Sequence, residues 1–392
     1  MVLSGLADVG IEALIANTKE GSRRALVAQF YEELYALGFF TLDGRFAGEI
    51  LDVTPPADHL TGPLAVHLQI SDTCNLKCQH CFAGEFTRRG SALSMAELDR
   101  LFGQMARMGS YRLGLTGGEP LLREDLFEIL DLALAYGLSP CVTTNGLLLD
   151  EPTAREFARR ELLWLNVSLE GGSPATNDQI RGSGSFAQVM SNLKILANHA
   201  RFSLAFTVMR TNLHEIGRCA ELALEVGAES AVFRPLYPVG TARHHLELMP
   251  TFAEYNSALK ALDNSRWQGF GQDCDIGPFS PATRQPANAV IYWNHGCGAG
   301  NLVCSISNSG EVNPCSFLGS GFDVGNVRHR SLSDLWRDVS LERFRKPLAE
   351  EGIQPHGFNQ GCRARALWMN GSVDAPDPWI VECASKSCGT TN

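Results

Sequence analysis

Three cysteines, Cys74, Cys78 and Cys81, lie in one short stretch with the spacing Cys-x3-Cys-x2-Cys. Three thiolates on one loop can bind three irons of a [4Fe–4S] cube and leave the fourth iron open to an exchangeable ligand. A structural zinc ion is the alternative, but such a site usually takes four ligands from pairs of Cys or His. His80 could be the fourth ligand, although it lies between two of the cysteines, where the geometry is poor. The spacing therefore favours an iron–sulfur cluster over zinc.

The composition of the whole chain is that of an ordinary soluble enzyme. Its 392 residues, 44% hydrophobic and 19% charged, suffice for one large core and one or two small modules. The net charge of −10 argues against a nucleic-acid partner, which needs a basic face. No signal-peptide pattern and no apolar run of membrane length occurs, so we expect no membrane association. Clustered cysteines favour metal binding over disulfides, and reduced thiolates favour a cytoplasmic location.

Sequence patterns divide the chain into three parts. Residues 1–62 combine helical apolar spacing with one strand-and-turn pattern, and Pro55-Pro56 marks a linker. Residues 63–240 alternate strand and helix patterns. Residues 241–392 lose this rhythm and are rich in Gly, Pro and Cys, which predicts a loop-rich domain held by a metal centre.

The alternation in residues 63–240 predicts parallel strands joined by right-handed crossovers. Six units suit a partial barrel better than a complete eight-unit barrel. We therefore predict an α/β fold, a partial six-unit parallel (β/α) barrel with a small N-terminal module and a loop-rich C-terminal domain. The predicted strands are Leu64–Ile70, Arg112–Leu115, Ser139–Thr144, Trp164–Leu169, Ser203–Val208 and Ala231–Arg234, and the predicted helices are Ser94–Met108, Glu124–Tyr136, Glu151–Arg160, Ser185–Ala200 and Asn212–Val226.

Unusual residues follow the predicted strands one after another. Thr116-Gly-Gly-Glu-Pro120 follows the second strand, Thr143-Thr-Asn-Gly146 follows the third, and Ser168 and Glu170 close the fourth. Functional residues of parallel barrels gather beyond the carboxyl ends of the strands. We therefore expect these residues to form one site with the cysteine loop, which follows the first strand.

Each of these features also has a purely structural explanation. Gly117-Gly118 before Pro120 could be a plain turn between a strand and a helix, and Asn145-Gly146 is an ordinary turn signal. Arg181, in a stretch flanked by glycine, could be a solvated surface charge.

Taken together, the cysteine spacing and these motifs resemble the radical S-adenosylmethionine (SAM) superfamily over residues 64–240. The resemblance implies a [4Fe–4S] cluster on Cys74, Cys78 and Cys81 whose open iron chelates SAM. It also implies reductive cleavage of SAM to a 5′-deoxyadenosyl radical, which abstracts hydrogen from the substrate. The SAM contacts that it implies are His80 and Phe82 near the adenine, Gly117, Gly118, Glu119 and Pro120 at the amino group, Ser168 and Glu170 at the ribose, Arg181 at the carboxylate, and the turn with Leu236 at the adenine. Asn145, in the turn after the third strand, is a further predicted cofactor-binding residue. Asp is commoner than Glu at position 170 in the family.

A second resemblance covers the C-terminal cysteines. Cys297, Gly310 and Cys315 have the spacing Cys-x12-Gly-x4-Cys, and Gly361-Cys362 follows further on. This pattern resembles the SPASM domain, which holds auxiliary iron–sulfur clusters in peptide-modifying radical SAM enzymes. The resemblance implies one auxiliary [4Fe–4S] cluster bound by Cys297, Cys304, Cys315 and Cys362. The stretch 346–361 contains no cysteine, so the pattern is nearer the shortened "twitch" variant, and Cys383 and Cys388 are left as tail thiols or further ligands.

The implied function is an oxidoreductase that modifies a substrate by hydrogen abstraction. We favour a ribosomally made precursor peptide, because residues 22–44 resemble the final helix and wing of a winged-helix domain that binds leader peptides by strand addition. A small metabolite such as a sugar or cyclitol is the alternative substrate, and an iron–sulfur electron carrier is the alternative without catalysis. An external reductant such as flavodoxin or ferredoxin would supply electrons. No residue stands out as a catalytic acid or base.

Overall fold

The computed structural model describes residues 60–84, 90–259, 262, 297–345 and 361–385. The chain separates into two units, Met1–Pro55 and Pro56–Asn392, and the described residues belong to the second. Most of the predicted N-terminal module lies outside the described residues, as do Cys274, Cys388 and the side chain of Cys383.

Six parallel strands in the order β6-β5-β4-β3-β2-β1 form the larger part of one sheet in the described residues. This confirms the predicted parallel α/β architecture, and the bounds of the third and fifth strands are those predicted. The six strands are Ala65–Ser71, Arg112–Gly117, Ser139–Thr144, Trp164–Ser168, Ser203–Val208 and Ser230–Pro235.

Helices connect these strands, and their apolar faces share one hydrophobic core with the sheet. The first helix, predicted to begin at Ser94, has a capping box at this residue: the hydroxyl of Ser94 accepts from the amide of Glu97, and Glu97 accepts from the amide of Ser94 at 2.8 Å. The helices are α1 Met95–Arg107, α2 Leu126–Ala135, α3 Glu151–Ala158, α4 Pro174–Arg181, α5 Ser185–Leu196, α6 Ile216–Glu225, α7 Phe252–Leu259, α8 Leu332–Trp336, α9 Glu342–Arg345, α10 Arg363–Asn370 and α11 Pro378–Ser385. Short 3-10 helices span Pro120–Leu122, Leu213–Glu215, Gly240–His244, Leu246–Leu248, Ser320–Phe322 and Val339–Leu341. None of the helices in the described ranges is long and apolar enough to cross a membrane.

Helix α4 is absent from the sequence-based prediction, which placed Arg181 in a loop flanked by glycine. Arg181 is instead the last residue of this helix, and Gly182 follows as its C-cap with φ of +115°. The overlooked signals are a serine cap followed by proline: the hydroxyl of Ser173 accepts from the amide of Thr176, and Pro174 occupies the first helical position.

The C-terminal region is rich in loops, as predicted, but its strands continue the barrel sheet. Strand β7, Val303–Ile306, pairs in parallel with β1, from Ala65 opposite Val303 to Leu68 opposite Ile306. Strands β8, Glu311–Asn313, and β9, Gly325–Asn326, follow in antiparallel order. Cys304 on β7 and Cys315, two residues after β8, are therefore held on the same sheet as the Cys74–Cys81 loop.

Arg328 fastens this C-terminal region to the barrel. Its guanidinium donates to Glu97 at 2.6 Å and to the carbonyls of Ser309 and Ser91, both at 2.9 Å. The hydrogen bond from Arg328 lowers the pKa of Glu97 to about 2, so this carboxylate is charged at neutral pH. The buried Trp336 adds a contact across the same joint, because its indole N–H donates to the carbonyl of Leu60 at 2.8 Å.

Candidate active site

The Cys74–Cys81 loop begins where β1 ends. Gly117 and Gly118, at the end of the neighbouring strand β2, contact the residues that lead into this loop. The amide of Gly118 donates to the carbonyl of Ser71 at 2.7 Å, and the amide of Glu119 donates to that of Thr73 at 2.8 Å. A Cβ atom would lie 2.1 Å from the oxygen of Ser71 if placed on Gly117, and 2.0 Å from that of Thr73 if placed on Gly118. Both positions therefore require glycine, because any side chain would push the cysteine loop away.

The other end of the cysteine loop rests on the segment after β6. The amide of Thr241 donates to the carbonyl of Cys81 at 2.9 Å. Gly240 has φ of +57°, and a Cβ atom on it would lie 2.2 Å from the oxygen of Phe82. The Cys74–Cys81 loop is therefore held at both ends by close backbone contacts that only glycine allows.

The three thiols of this loop differ in exposure, since Cys74 is exposed while Cys78 and Cys81 are half-buried. Burial raises the pKa of Cys78 to about 11, against a smaller opposing effect of Arg181, and burial also raises the pKa of Cys81. Bound iron would supply the positive charge that such thiolates need. No three Cys, His, Asp or Glu side chains of the described ranges converge on a single metal ion. In a cube each thiolate binds its own iron, so three cysteines on one loop fit this donor set.

Asn145 joins the third strand end to the cysteine loop. Its side-chain amide donates to Oδ1 of Asn75 at 2.7 Å and to Sγ of Cys74 at 3.9 Å, while its own Oδ1 accepts from the amide of Leu147 at 3.0 Å. The turn at Asn145 therefore does more than reverse the chain, because it places an N–H donor beside a predicted ligand thiol.

Glu119 braces the second and third strand ends from inside the protein. Its carboxylate accepts from the hydroxyl of Thr144 at 2.6 Å and from the amides of Asn145 at 2.7 Å and Leu121 at 3.1 Å. Burial raises the pKa of Glu119, and these donors oppose the shift. Pro120, also buried, begins a 3-10 helix directly after it. A contact between Glu119 and the SAM amino group stays a prediction.

His80, Glu170 and Arg181 form a buried polar cluster beside the cysteine loop. Oε1 of Glu170 lies 3.1 Å from Nε2 of His80 and accepts from Arg181 at 2.8 Å, and its Oε2 accepts from the amide of Thr207 at 2.7 Å. The side chains of His80, Arg181 and Glu170 are only 10%, 6% and 1% exposed. Burial alone would raise the pKa of Glu170, but the charges of His80 and Arg181 hold it below its ordinary value.

Two nitrogens of this cluster lack hydrogen-bond partners among the described residues. They are Nδ1 of His80 and Nε of Arg181, both shielded from solvent. Buried polar atoms are nearly always satisfied, so orphaned nitrogens on both sides of Glu170 indicate that a polar ligand binds here. The ribose and carboxylate oxygens of SAM have the acceptors that such a place requires.

Three other predicted SAM contacts, Ser168, Leu236 and Phe82, differ in their burial and in the residues that they contact. Ser168 is half-buried at the end of β4. Leu236 is buried in a small core with Ile180 and Met209, and its amide donates to the carbonyl of Val208 at 3.0 Å. Phe82 lies edge-on to Phe317 of the C-terminal region, with ring centroids 5.6 Å apart. The side chains of Leu236 and Phe82 therefore pack against protein.

We expect Glu170→Gln to weaken SAM binding about tenfold or more, because charge-assisted hydrogen bonds to His80 and Arg181 are lost. The free energy of unfolding should fall by about 3 kcal/mol, since Arg181 is left buried without its counter-charge. Equilibrium binding of SAM and urea unfolding measure the two effects.

Glu215→Gln is the matched control for Glu170→Gln. Glu215 accepts from the amide of Gly172 at 2.8 Å and from the hydroxyls of Ser173 at 2.7 Å and Thr176 at 2.9 Å, so it fixes the start of the same helix α4. The Glu215→Gln substitution should lower the free energy of unfolding without a specific effect on SAM affinity. Equal losses of SAM affinity in both variants would contradict the role assigned to Glu170.

Three of the four predicted auxiliary ligands influence one another. The charges of Cys297 and Cys362 act to raise the pKa of Cys315, and the charge of Cys297 acts to raise the pKa of Cys362. Burial raises the pKa of Cys315 and raises that of Cys362 to about 12. Sγ of Cys362 accepts from the amide of Arg365 at 3.4 Å. These three residues fit a shared iron–sulfur site that would supply the missing positive charge.

Asp377 shapes the chain around Cys362. Its carboxylate accepts from the amide of Cys362 at 2.6 Å and forms a fully buried ion pair of 3.0 Å with Arg365. Gly361 has φ of +60°, and a Cβ atom on it would lie 2.3 Å from Cβ of Asp377. The glycine before Cys362 is therefore a packing requirement of this buried carboxylate.

Cys304 has a different environment from these three cysteines. It is opposite Val66 in the β7–β1 pairing and belongs to the hydrophobic core. Burial alone raises its pKa to about 12, with no influence from another described cysteine. Its neighbour Ser305 instead lines a small cavity with Cys315, and successive residues of a strand face opposite sides. The ligand role of Cys304 stays a prediction.

Aromatic rings connect the two cysteine groups. Phe82 follows Cys81 directly, and Phe317 comes two residues after Cys315. Besides its contact with Phe82, Phe317 stacks on Tyr237 with ring centroids 5.0 Å apart. The loops that carry the two predicted cluster sites therefore touch through packed rings.

Comparisons with known proteins agree with this geometry. Residues 68–223 match the model of the radical SAM superfamily, and residues 297–363 match that of SPASM, an iron–sulfur cluster-binding domain. The mycofactocin maturase MftC of Mycobacterium ulcerans is 29% identical over 333 residues, which cover 82% of this chain and 89% of the relative. An AdoMet-dependent heme synthase of Oleidesulfovibrio alaskensis is also 29% identical over 333 residues, covering 79% and 85%.

Solved structures share the fold at lower identity. Streptococcus suis SuiB bound to the precursor peptide SuiA has a TM-score of 0.68 and 16% identity, covering 91% of this chain and 89% of that chain. Native anSMEcpe with bound AdoMet has a TM-score of 0.65 and 18% identity, covering 83% and 95%. The chain therefore contains a radical SAM domain, residues 68–223, and a C-terminal SPASM iron–sulfur cluster-binding domain, residues 297–363.

Proposed function

We propose that this radical SAM enzyme is a maturase that oxidatively modifies a ribosomally made precursor peptide, by cross-linking or dehydrogenation. The observation that carries the proposal is the union, on one sheet, of a three-cysteine loop at the end of β1 with a SPASM cysteine group beside β7. The curated relative MftC is named a maturase, and the structural neighbour SuiB was solved with its precursor peptide.

In this proposal Cys74, Cys78 and Cys81 hold the SAM-binding cluster at the loop gripped by Gly118 and Gly240. When bound, the clusters and SAM supply the electron that cleaves SAM, the radical that takes hydrogen from the substrate, and an acceptor for the electron left behind. The tight backbone contacts of both glycines would keep the three thiolates at fixed separations. Such a rigid loop would present the three thiolates in a fixed arrangement to a cluster whose open iron chelates SAM.

The polar cluster of His80, Glu170 and Arg181 would orient SAM. The Arg181 guanidinium has an unused buried donor that suits a carboxylate oxygen, and the His80 ring has a second nitrogen available for a polar contact. Glu170 keeps both groups in place through one carboxylate oxygen, Oε1, while its Oε2 accepts from the amide of Thr207. Burial of the cluster excludes water, which strengthens each of these contacts.

The auxiliary group is proposed to consist of Cys297, Cys304, Cys315 and Cys362. Four thiolates would close that site, which suits electron transfer better than ligand binding. We propose an external reductant such as flavodoxin or ferredoxin, and a cytoplasmic location where thiolates stay reduced.

We also propose three functional regions: residues 1–62 as the element that binds a leader peptide, residues 63–240 as the radical SAM barrel, and residues 241–392 as the auxiliary cluster domain. A leader peptide bound by strand addition would be held mainly by backbone hydrogen bonds. Such binding would leave its side chains to provide specificity.

A small-molecule substrate is the second candidate. It is favoured by one observation: the heme synthase relative, which is not named as a maturase, has the same 29% identity as MftC. A role as an electron carrier without catalysis would not explain why the polar cluster of His80, Glu170 and Arg181 has buried nitrogens without hydrogen-bond partners among the described residues.

The test is turnover by anaerobically reconstituted protein with SAM, reductant and a synthetic peptide encoded by a short open reading frame beside the gene. We expect 5′-deoxyadenosine together with a peptide product that has lost hydrogen, detected by mass spectrometry. If none of the peptides encoded beside the gene is modified while a small metabolite is consumed, the maturase proposal is wrong.

A further inference from the structure

The side-chain amide of Asn145 is shared between two residues of the cysteine loop. Its Nδ2 donates to Oδ1 of Asn75 at 2.7 Å and lies 3.9 Å from Sγ of Cys74, in hydrogen-bond geometry. A primary amide carries two N–H donors. One hydrogen of Asn145 can therefore be held by Asn75 while the other is donated to the sulfur of a predicted iron ligand.

The orientation of this amide is fixed by a third contact. Its Oδ1 accepts from the backbone amide of Leu147 at 3.0 Å. The reversed orientation would lose that bond and would bring the oxygen of Asn145 against Oδ1 of Asn75, where neither atom can donate. The nitrogen of the Asn145 side chain, and not its oxygen, therefore faces the cysteine loop.

The turn that carries Asn145 is held by two buried side chains of other elements. The backbone amide of Asn145 donates to Oε2 of Glu119 at 2.7 Å. The side-chain amide of Asn192, on α5, donates to the carbonyls of Gly146 at 2.8 Å and Leu147 at 3.1 Å. The Asn145 donor is therefore in place before a cluster binds, as a preorganised site requires.

The sulfur of Cys74 has a second donor on its own loop, because the backbone amide of Leu76 donates to it at 3.4 Å. The protonated thiol donates in turn to Oδ1 of Asn75 at 4.0 Å, a contact that ends when the thiol loses its proton to bind iron. Both N–H donors remain in the thiolate. Asn145 is only 7% exposed, so water competes little for its amide hydrogens.

A hydrogen bond to Sγ of Cys74 affects how readily the cluster accepts an electron, because hydrogen bonds to the sulfurs help to set the reduction potential of an iron–sulfur cluster. Reduction adds one negative charge to the cluster, and the thiolate sulfurs carry part of it. An N–H donor stabilises that charge and therefore favours the reduced state. The hydrogen stays on the nitrogen of Asn145, so only the electron is transferred.

We infer that Asn145 is a positioning residue that makes the cluster of the Cys74–Cys81 loop easier to reduce, by donating a hydrogen bond to Sγ of Cys74. The cofactor contact of Asn145 is then a ligand thiolate of the cluster, while Asn75 and Leu147 engage the rest of its amide. The inference goes beyond the proposed function and does not depend on the substrate, because an electron must enter the cluster before SAM is cleaved.

A redox titration followed by electron paramagnetic resonance tests this role on the full-length, anaerobically reconstituted protein, without SAM or substrate. At the potential that half reduces the cluster of the unaltered protein, Asn145→Leu should lower the ratio of reduced to oxidised cluster about threefold or more, which is about 28 mV for a one-electron couple. Asn145→Asp keeps the shape but puts a negative charge in place of the donor. The ratio should then fall about tenfold or more, which is about 59 mV.

The auxiliary cluster of the same sample is the internal control. The signal of the SAM-binding cluster is the one that changes when SAM is added after the titration, and the other signal should keep its midpoint potential in both variants. Equilibrium binding of SAM to Asn145→Leu should match that of the unaltered protein. A loss of SAM affinity in this variant with an unchanged midpoint potential would overturn the inference.

Asn192→Leu is the matched control, because it is the same substitution at a buried asparagine that holds the same turn but donates to carbonyls instead of to sulfur. It should lower the temperature of thermal unfolding and leave the midpoint potential of the SAM-binding cluster unaltered. The iron content per chain shows whether each variant holds its clusters, and if Asn145→Leu loses iron, the isosteric Asn145→Asp supplies the result. Equal shifts of the midpoint potential in Asn145→Leu and Asn192→Leu, or no shift in Asn145→Asp, would contradict the inference.

Discussion

Replacing Cys74 by alanine should reduce SAM cleavage to the level of a sample without enzyme. Two thiolates cannot hold the cube with a defined open iron, so the chemistry loses its cofactor. Cys74 is exposed, and a substitution at such a position usually changes stability by about 0.5 kcal/mol or less. Formation of 5′-deoxyadenosine under reducing, anaerobic conditions and the iron content per chain measure the effect.

Cys219→Ala is a control for this prediction. Cys219 is a buried core thiol on α6, so its loss should lower stability by about 1 kcal/mol or more and leave the iron content and cleavage intact. A Cys74→Ala protein that still binds the full complement of iron and cleaves SAM at the normal rate would contradict the assignment.

Replacing Cys315 by alanine should have the opposite pattern, with SAM cleavage retained and substrate product lost. Cys315 is a proposed ligand of the auxiliary cluster, whereas SAM is assigned to the His80, Glu170 and Arg181 cluster. The variant should keep the spectroscopic signature of one cluster and lose that of the other. Parallel measurement of 5′-deoxyadenosine and of modified substrate separates the two functions.

Phe317→Leu controls for packing in the Cys315 experiment. Phe317 touches Phe82 and Tyr237, so its truncation disturbs the joint between the cysteine loops while every thiol is kept. It should retain both clusters. If Phe317→Leu loses the auxiliary cluster as completely as Cys315→Ala, the loss reports packing and the ligand role of Cys315 is unsupported.

The architecture of the barrel could be predicted from the sequence because it depends on local patterns. Alternating strand and helix signals indicated parallel strands, and the capping box at Ser94 marked the start of α1. The pairing of β7 with β1 could not be predicted, since it joins residues 65 and 303 through contacts that no local pattern encodes.

The site could be predicted in part for the same reason. Motifs after successive strands met at one edge of the sheet, as expected for parallel strands. The ion pair between Glu170 and Arg181 was not foreseen, because the Ser173-Pro174 start signal of α4 was overlooked and Arg181 was therefore placed in a loop. The burial of Cys304 in the hydrophobic core follows from its β7 pairing, which is likewise non-local.

The most direct test of the central claim is electron paramagnetic resonance of the reduced, reconstituted protein before and after addition of SAM. An iron held by only three protein thiolates, those of Cys74, Cys78 and Cys81, has a coordination position to offer. The spectrum of that cluster should therefore change when SAM binds, and the change should disappear in Cys74→Ala. Zinc in place of iron at this loop, or an iron–sulfur spectrum that SAM leaves unaltered, would contradict the account.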